Sequence, residues 1–120
     1  MATRPIYEVK AQYFKTLGHP ARIRILEVLR EGEHSVSELR PNVGIESSHL
    51  SQQLGVLRRA GIVESRREGS AVFYSVSDPR VLDLLELAKR IITTSLNSTS
   101  ALLADLDAIT FSPEAPRRRR

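Results

Sequence analysis

The sequence predicts a mainly α-helical protein with one small β-hairpin, and three observations support this fold class. Leucines recur at helical spacing over residues 47–61, a stretch that ends at a glycine. Residues 62–76 read as two short strands around a glycine-containing turn, with Val72, Tyr74 and Val76 on one face of the second strand. Further helical periodicity flanks this region on both sides. We therefore expect one domain over residues 1–110, followed by a disordered basic tail over residues 111–120.

Two helices are predicted at the N-terminal end of the chain. Apolar side chains form two stripes along Ile6–Leu17, and Gly18-His19-Pro20 breaks that helix. Pro20 suits the first turn of a second helix, Pro20–Arg30, because the N–H that proline lacks would have no helical partner there.

A short third helix, Ser35–Arg40, begins with a capping signal. Ser35 stands at the N-cap position and Glu38 follows three residues later, which is the spacing of a capping box. Pro41 and Gly44 are predicted to form the loop that follows.

The fourth helix begins after a cap at Glu46 or Ser47 and ends at Gly61. Three leucines at i, i+4 and i+7 share one face, which we expect to be buried: Leu50, Leu54 and Leu57. The opposite face suits the major groove of DNA, because glutamine and serine can bond base edges and arginine can neutralise phosphate. The predicted DNA-binding residues of this helix are Ser47, Ser48, His49, Ser51, Gln52, Gln53, Arg58 and Arg59.

A β-hairpin with a basic tip follows this helix. The predicted strands are Ile62–Arg67 and Ala71–Val76, joined by a turn at Glu68-Gly69-Ser70. Strand alternation points Arg66 and Arg67 to opposite faces, and both are DNA-binding candidates. We favour Arg67, which is adjacent to the tip. The polar face of the fourth helix could also be an ordinary solvent-exposed surface, since any surface helix has one. DNA binding is favoured because the helix is followed, in order, by a glycine, a strand, a basic turn and a second strand.

The last predicted helix runs from Asp78-Pro79 to about Ala108, with an interruption near Asn97-Ser98. It carries two apolar stripes, and one small body can cover only one of them, so the sequence predicts a homodimer. The predicted interface residues are Tyr7, Phe14, Leu84, Ala88, Ile91, Ile92, Leu102 and Leu106.

Composition excludes several classes of function. The chain has no cysteine, so disulfides and thiolate metal sites are impossible. It contains no nucleophile elbow, phosphate loop or zinc-protease motif, so we expect neither an enzyme nor a cofactor. There is no apolar signal-peptide core and no stretch long enough to span a membrane, so we expect a soluble cytoplasmic protein.

The positive charge of the chain is local. Residues 1–110 contain 14 basic and 13 acidic residues, so the pI near 10.0 reflects Arg117–Arg120 rather than the body. Residues 47–70 hold four arginines against two glutamates, which places positive charge on the end of the fourth helix and on the hairpin.

A resemblance to a known family is carried by the flanking helices and by three segments: LGHPARIRILEVL (17–29), SVSELRPNVGIESSHLSQQLGVLRRAGIV (35–63) and SRREGSAVFYSV (65–76). With the third and fourth helices as a helix-turn-helix and the hairpin as its wing, the chain resembles the arsenic-repressor (ArsR/SmtB) family of transcription regulators. The resemblance implies a winged helix-turn-helix with flanking N- and C-terminal dimerisation helices, and repression relieved by an inducer. Gln53 replaces a histidine found in many members, which we expect to change base preference more than fold.

The same resemblance bears on the inducer. Members that sense thiophilic metals carry cysteines at two positions of the third helix where this chain has Ser35 and Ser37. Members that sense zinc, nickel or cobalt use histidine on the last helix, and residues 81–109 contain none. His19, His34 and His49 lie in different elements without ligand spacing, so no metal site is expected. A small-molecule inducer, a protein partner or no inducer remain open.

The sequence therefore predicts a sequence-specific transcriptional regulator, a homodimeric repressor that binds double-stranded DNA at a pseudo-palindromic operator. Two alternatives remain: a winged-helix module for protein interaction, and a non-specific architectural DNA-binding protein.

Overall fold

The structure is a computed structural model that describes residues 3–98 of the chain. The chain divides into two compact units, residues 1–85 and residues 86–120. The single domain over residues 1–110 stays a prediction, and the tail over residues 111–120 lies outside the described residues. Among the described residues, no helix is long and apolar enough to cross a membrane.

The two N-terminal helices form where the sequence predicts them. Helix α1 spans Ile6–Leu17, and helix α2 spans Pro20–Val28 with Pro20 in its first turn. His19 caps α2, since its Nδ1 accepts the Ala21 N–H at 3.1 Å. The α-helix ends before the predicted Arg30 because the chain tightens into a 3-10 turn over Leu29–Glu31, a common way for a helix to satisfy its last carbonyls.

Helix α3 spans Val36–Val43 and confirms the predicted capping box. The Glu38 N–H donates to Ser35 Oγ at 3.2 Å, and the Ser35 N–H donates to Glu38 Oε1 at 2.9 Å. The loop predicted at Pro41 was wrong, because Pro41 lies inside the helix. A proline here removes only the bond to the carbonyl of the exposed Ser37, and the helix continues until Gly44 adopts a left-handed conformation with φ 81°.

Helix α4 spans Ser47–Arg59. It is terminated by backbone hydrogen bonds that require a residue with positive φ, a conformation that glycine adopts most easily. Gly61 has φ 77°, its N–H donates to the Arg58 carbonyl at 3.0 Å, and the Ile62 N–H donates to the Leu57 carbonyl at 3.0 Å. These two bonds form a Schellman motif. Because Ile62 closes the motif, the next strand begins one residue later than predicted.

The sheet contains one more strand than the sequence predicts. Strands β1 (His34–Ser35), β2 (Val63–Glu68) and β3 (Ala71–Val76) are antiparallel in the order β1-β3-β2. The hairpin of β2 and β3 is called the wing below. Strand β1 has two residues, too few for an alternating pattern, and it forms only because His34 pairs with Tyr74 and Ser35 with Phe73.

The core lies among α2, α3, α4 and the start of β2. Its fully buried side chains are Ile25, Leu26, Leu39, Leu50, Leu54, Leu57 and Val63. All three leucines predicted to face the core from α4 are among them. Burial of each such side chain contributes about 1.5–3 kcal/mol, so α4 is anchored along its length by the same contacts that stabilise the unit.

The last described helix, α5, spans Arg80–Ser98. Asp78 accepts the Arg80 backbone N–H at 3.0 Å and also pairs with the Arg80 guanidinium. The side-chain bond from Arg80, together with this backbone bond, lowers the pKa of Asp78 to about 2. The helix includes Asn97 and Ser98, where the sequence predicts an interruption, and the predicted continuation to Ala108 lies outside the described residues.

Candidate nucleic-acid interface

The polar face of α4 is open to solvent opposite its buried leucines. Gln52 is exposed at the centre of this face. The other exposed residues among those predicted to bind DNA on this helix are Ser47, Ser48, His49, Ser51, Arg58 and Arg59. A helix that is anchored on one face and polar on the other can enter a major groove without exposing apolar surface.

Gln53 differs from its neighbours, because the structure buries it. Only 5% of its surface is exposed, and its Oε1 accepts a hydrogen bond from Arg22 Nε at 2.7 Å. The prediction that Gln53 contacts DNA is therefore wrong, because its side chain points to α2. Helical spacing carried this signal, since Gln53 lies three residues after Leu50 and four before Leu57, on the edge of the buried face.

Gly55 leaves room on α4 for an arginine. A Cβ at this position would lie 3.2 Å from Arg59 Nη1, so the guanidinium of Arg59 folds back over the glycine. Arg58 and Arg59 also stand in the last turn, where positive charge complements the helix dipole. Both are exposed and remain candidates for phosphate contacts.

An open groove of about 670 Å³ lies beside the turn between α3 and α4. Its lining residues are Ser37, Arg40, Pro41, Gly44, Ile45, Glu46 and Ser47. Arg40 is exposed here next to the first turn of α4 and is a candidate phosphate contact that the sequence did not indicate. No local pattern could have found it, because packing decides which side of α3 faces the start of α4.

Two of the histidines come together in space although they lie far apart in sequence. The ring centroids of His19 and His49 are 6.2 Å apart in an edge-to-face arrangement. His19 uses its Nδ1 to cap α2, and His34 Nδ1 lies 2.7 Å from the Gly32 carbonyl. Within residues 3–98 there is no group of three or more side chains that could hold a metal ion.

Arg66 of the wing is held by carboxylates. Its Nε and Nη2 donate to Glu33 at 2.7 and 2.9 Å, and its Nη1 donates to Glu68 at 2.9 Å. The guanidinium also lies 4.8 Å from the centre of the Phe73 ring. The hydrogen bond from Arg66 lowers the pKa of Glu33, and the bonds to Glu33 and then Glu68 raise the pKa of Arg66.

Arg67 points to the other face of the wing, as strand alternation requires. The residue is exposed, and its side chain makes no hydrogen bond or ion pair to any residue in the described range 3–98. Of the two wing arginines, Arg67 therefore has its full charge available for a phosphate.

The predicted dimer residues fall into three groups. Tyr7 and Phe14 of α1 are 69% and 54% exposed, and Ile91 and Ile92 of α5 are 59% and 58% exposed. Ala88 is exposed too, whereas Leu84 packs partly buried against the core of the first unit. The remaining two, Leu102 and Leu106, lie outside the described residues.

Residues 19–65, which contain α2, α3, α4 and the start of the wing, match the family model described as bacterial regulatory protein, arsR family. The chain is 53% identical over 109 residues to the HTH-type transcriptional regulator Rv0081 of Mycobacterium tuberculosis, which covers 90% of this chain and 96% of that protein. It is also 44% identical over 84 residues to a biofilm growth-associated repressor of Xylella fastidiosa, covering 70% of this chain and 74% of the repressor.

Two solved structures have the same fold. The crystal structure of Rv0081 matches with a TM-score of 0.74 at 52% identity, over 82% of this chain and 99% of that chain. The solution structure of a homodimeric winged helix-turn-helix DNA-binding domain from Mycobacterium bovis matches with a TM-score of 0.69 at 27% identity, over 82% and 95% of the two chains.

Proposed function

Because the chain belongs to the ArsR family of winged helix-turn-helix transcriptional regulators, we propose that it is a homodimeric repressor of a pseudo-palindromic operator. The observation that carries this proposal is the division of α4 into a fully buried leucine face and an exposed polar face. The Xylella relative, which is named as a repressor, supports the direction of regulation. Action on chromosomal DNA implies a cytoplasmic location.

Base reading falls to the exposed side chains in the first two turns of α4. Gln52 can donate and accept together, which suits a bidentate contact with adenine in the major groove. His49, Ser48 and Ser51 are exposed beside it and add shorter contacts. Phosphate contacts fall to the exposed arginines Arg40, Arg58, Arg59 and Arg67.

Dimerisation falls to the exposed apolar side chains of α1 and α5. Tyr7 and Phe14 of α1, and Ile91 and Ile92 of α5, are each more than half exposed, which a second copy of the chain would cover. The homodimeric Mycobacterium bovis domain supports this assignment. In a two-fold dimer the two α4 helices would read half-sites roughly 34 Å apart. Light scattering at micromolar concentration tests the point, and a stable monomer would contradict it.

The direct test of the function is a gel-shift titration against DNA from upstream of the protein's own gene, with random DNA of equal length as the control. The proposal expects tight, saturable binding that weakens steeply as salt is raised, because bound phosphates release counterions. Absence of salt-sensitive binding would favour a protein-interaction module instead. Equal affinity for both DNAs would favour a non-specific architectural protein.

Release from DNA is proposed to occur without a thiophilic metal. Ser35 Oγ already serves as the helix cap of α3, and a hydroxyl is a weak ligand for soft metals. A small molecule, a protein partner or no inducer at all remain the alternatives. Titration of zinc, nickel, cobalt, cadmium and arsenite into the protein–operator complex tests this, and micromolar release that a chelator reverses would contradict it.

A further inference from the structure

A partly buried polar link joins three helices of the first unit behind the proposed DNA-reading face. Arg22 of α2 donates from Nε to Gln53 Oε1 of α4 at 2.7 Å, and from Nη1 to the Thr16 carbonyl of α1 at 2.9 Å. Gln53 is 5% exposed and Thr16 is 8% exposed. One guanidinium therefore connects the last turn of α1 with the middle of α4.

The link fixes the distances between the bonded atoms of α1 and α4, because the donors of the Arg22 guanidinium are held rigidly in one plane. A hydrogen bond to a charged donor is stronger than one between neutral groups, and a buried donor left without a partner is costly. The leucine contacts of α4 anchor the helix but are non-directional, so by themselves they oppose a small slide or rotation less sharply than a directional bond does. The directional bond from Arg22 would resist such a movement.

We propose that Gln53 and Arg22 are positioning residues that set the placement of α4 relative to α1, so that Gln53 governs operator affinity without touching a base. This inference rests on the proposed DNA-binding function. It separates two adjacent glutamines: Gln52 is exposed and contacts DNA, whereas Gln53 acts through Arg22. The link also attaches α4 to α1, the helix that carries the exposed Tyr7 and Phe14.

Substitution of each glutamine by glutamate distinguishes positioning from base reading. In Gln53→Glu the carboxylate still accepts from Arg22, so we expect operator affinity within about threefold of wild type and an unchanged ranking of operators that differ by single bases. The matched control, Gln52→Glu, should lose affinity and alter that ranking, because glutamate cannot donate to adenine and repels phosphate. A changed ranking in Gln53→Glu would overturn the proposal.

Removal of the acceptor gives the complementary result. Gln53→Leu leaves the Arg22 donor unpaired, so operator affinity should fall roughly tenfold while the base ranking stays the same. All affinities are measured at a temperature at which circular dichroism shows each variant fully folded. This control matters because a merely stabilising role would leave the affinity of the folded protein unchanged, and that result would overturn positioning.

A double-variant cycle completes the test. Arg22→Lys keeps the charge but removes the fork, so it should resemble Gln53→Leu, and the combined variant should bind no worse than either single variant. Fully additive losses would show that the two residues act separately and would overturn the proposal. If wild-type protein itself fails to bind its operator, the proposed function fails; if wild type and Gln53→Leu bind equally well, only this inference fails.

Discussion

Helix α4 and the wing each contain two adjacent side chains of the same type with opposite environments. In α4, Gln52 is exposed and Gln53 is buried against Arg22. In the wing, Arg67 has no described partner among residues 3–98, whereas Arg66 is held by Glu33 and Glu68. In both regions one member of the pair is open to solvent and the other bonds to a residue more than 30 positions away.

The two regions differ in what holds them in place. Leu50, Leu54 and Leu57 anchor α4 with 0% of their surfaces exposed, so its position depends on the hydrophobic core. In the wing, β2 has one buried residue, Val63, and five exposed ones, and all six residues of β3 are only half-buried. Its contact with Glu33 is an ion pair near solvent, which water and salt weaken. Removal of an anchoring side chain should therefore lower the stability of the fold strongly in α4 and only slightly in the wing.

The largest effect is expected from the core side of α4. Leu54→Ala should lower the free energy of unfolding by about 2–5 kcal/mol, through lost apolar burial and the cavity left behind. Denaturant titration followed by circular dichroism measures this, with the exposed Gln52→Ala as the matched control in the same helix. A loss below about 1 kcal/mol would mean that the core does not anchor α4.

A smaller effect, on binding rather than folding, is expected from the exposed side of the same helix. Gln52→Ala should weaken operator binding by about 1–3 kcal/mol and leave binding to random DNA nearly unchanged, because only the operator offers the matching base. Parallel gel-shift titrations on the two DNAs provide the measurement. An equal loss of affinity for both DNAs would mean that Gln52 contacts the DNA backbone rather than a base.

The wing should respond differently from α4, with a loss that does not depend on DNA sequence. Arg67→Ala should weaken operator and random DNA alike and reduce the slope of log affinity against log salt by about one, as expected for one lost phosphate contact. Arg66→Ala is the matched neighbour and should change the slope less, because carboxylates already neutralise its charge. An unchanged salt slope in Arg67→Ala would show that Arg67 does not contact a phosphate.

The smallest effect is expected from the ion pair beneath the wing. The pKa of Glu33 is lowered in the folded protein by its bond to Arg66, so the pair stabilises the fold above the ordinary glutamate pKa of 4.5 and loses that effect as pH falls below it. The melting temperature of Glu33→Gln should therefore be slightly below wild type at pH 7 and converge with it in acid. A difference that persists at pH 2 would implicate another contact.

The sequence by itself determined the features that depend on neighbouring residues. The bounds of α1, the capping box of Ser35 and Glu38, and the buried leucines of α4 follow from helical periodicity and capping chemistry. The stop at Gly61 follows from the freedom of glycine to adopt positive φ. Each of these signals depends only on residues within one helical turn or one short segment. It can therefore be recognised in the sequence without knowledge of the tertiary structure.

Only the tertiary structure decided which distant residue holds the buried or paired member of each pair. Gln53 and Arg22 are 31 positions apart, and Arg66 and Glu33 are 33 positions apart. Strand β1 likewise exists only through its pairing with β3, and Pro41 remains helical within the packed unit. Periodicity states which face of its own element a side chain occupies, but the partner on that face comes from a distant element that packing brings near.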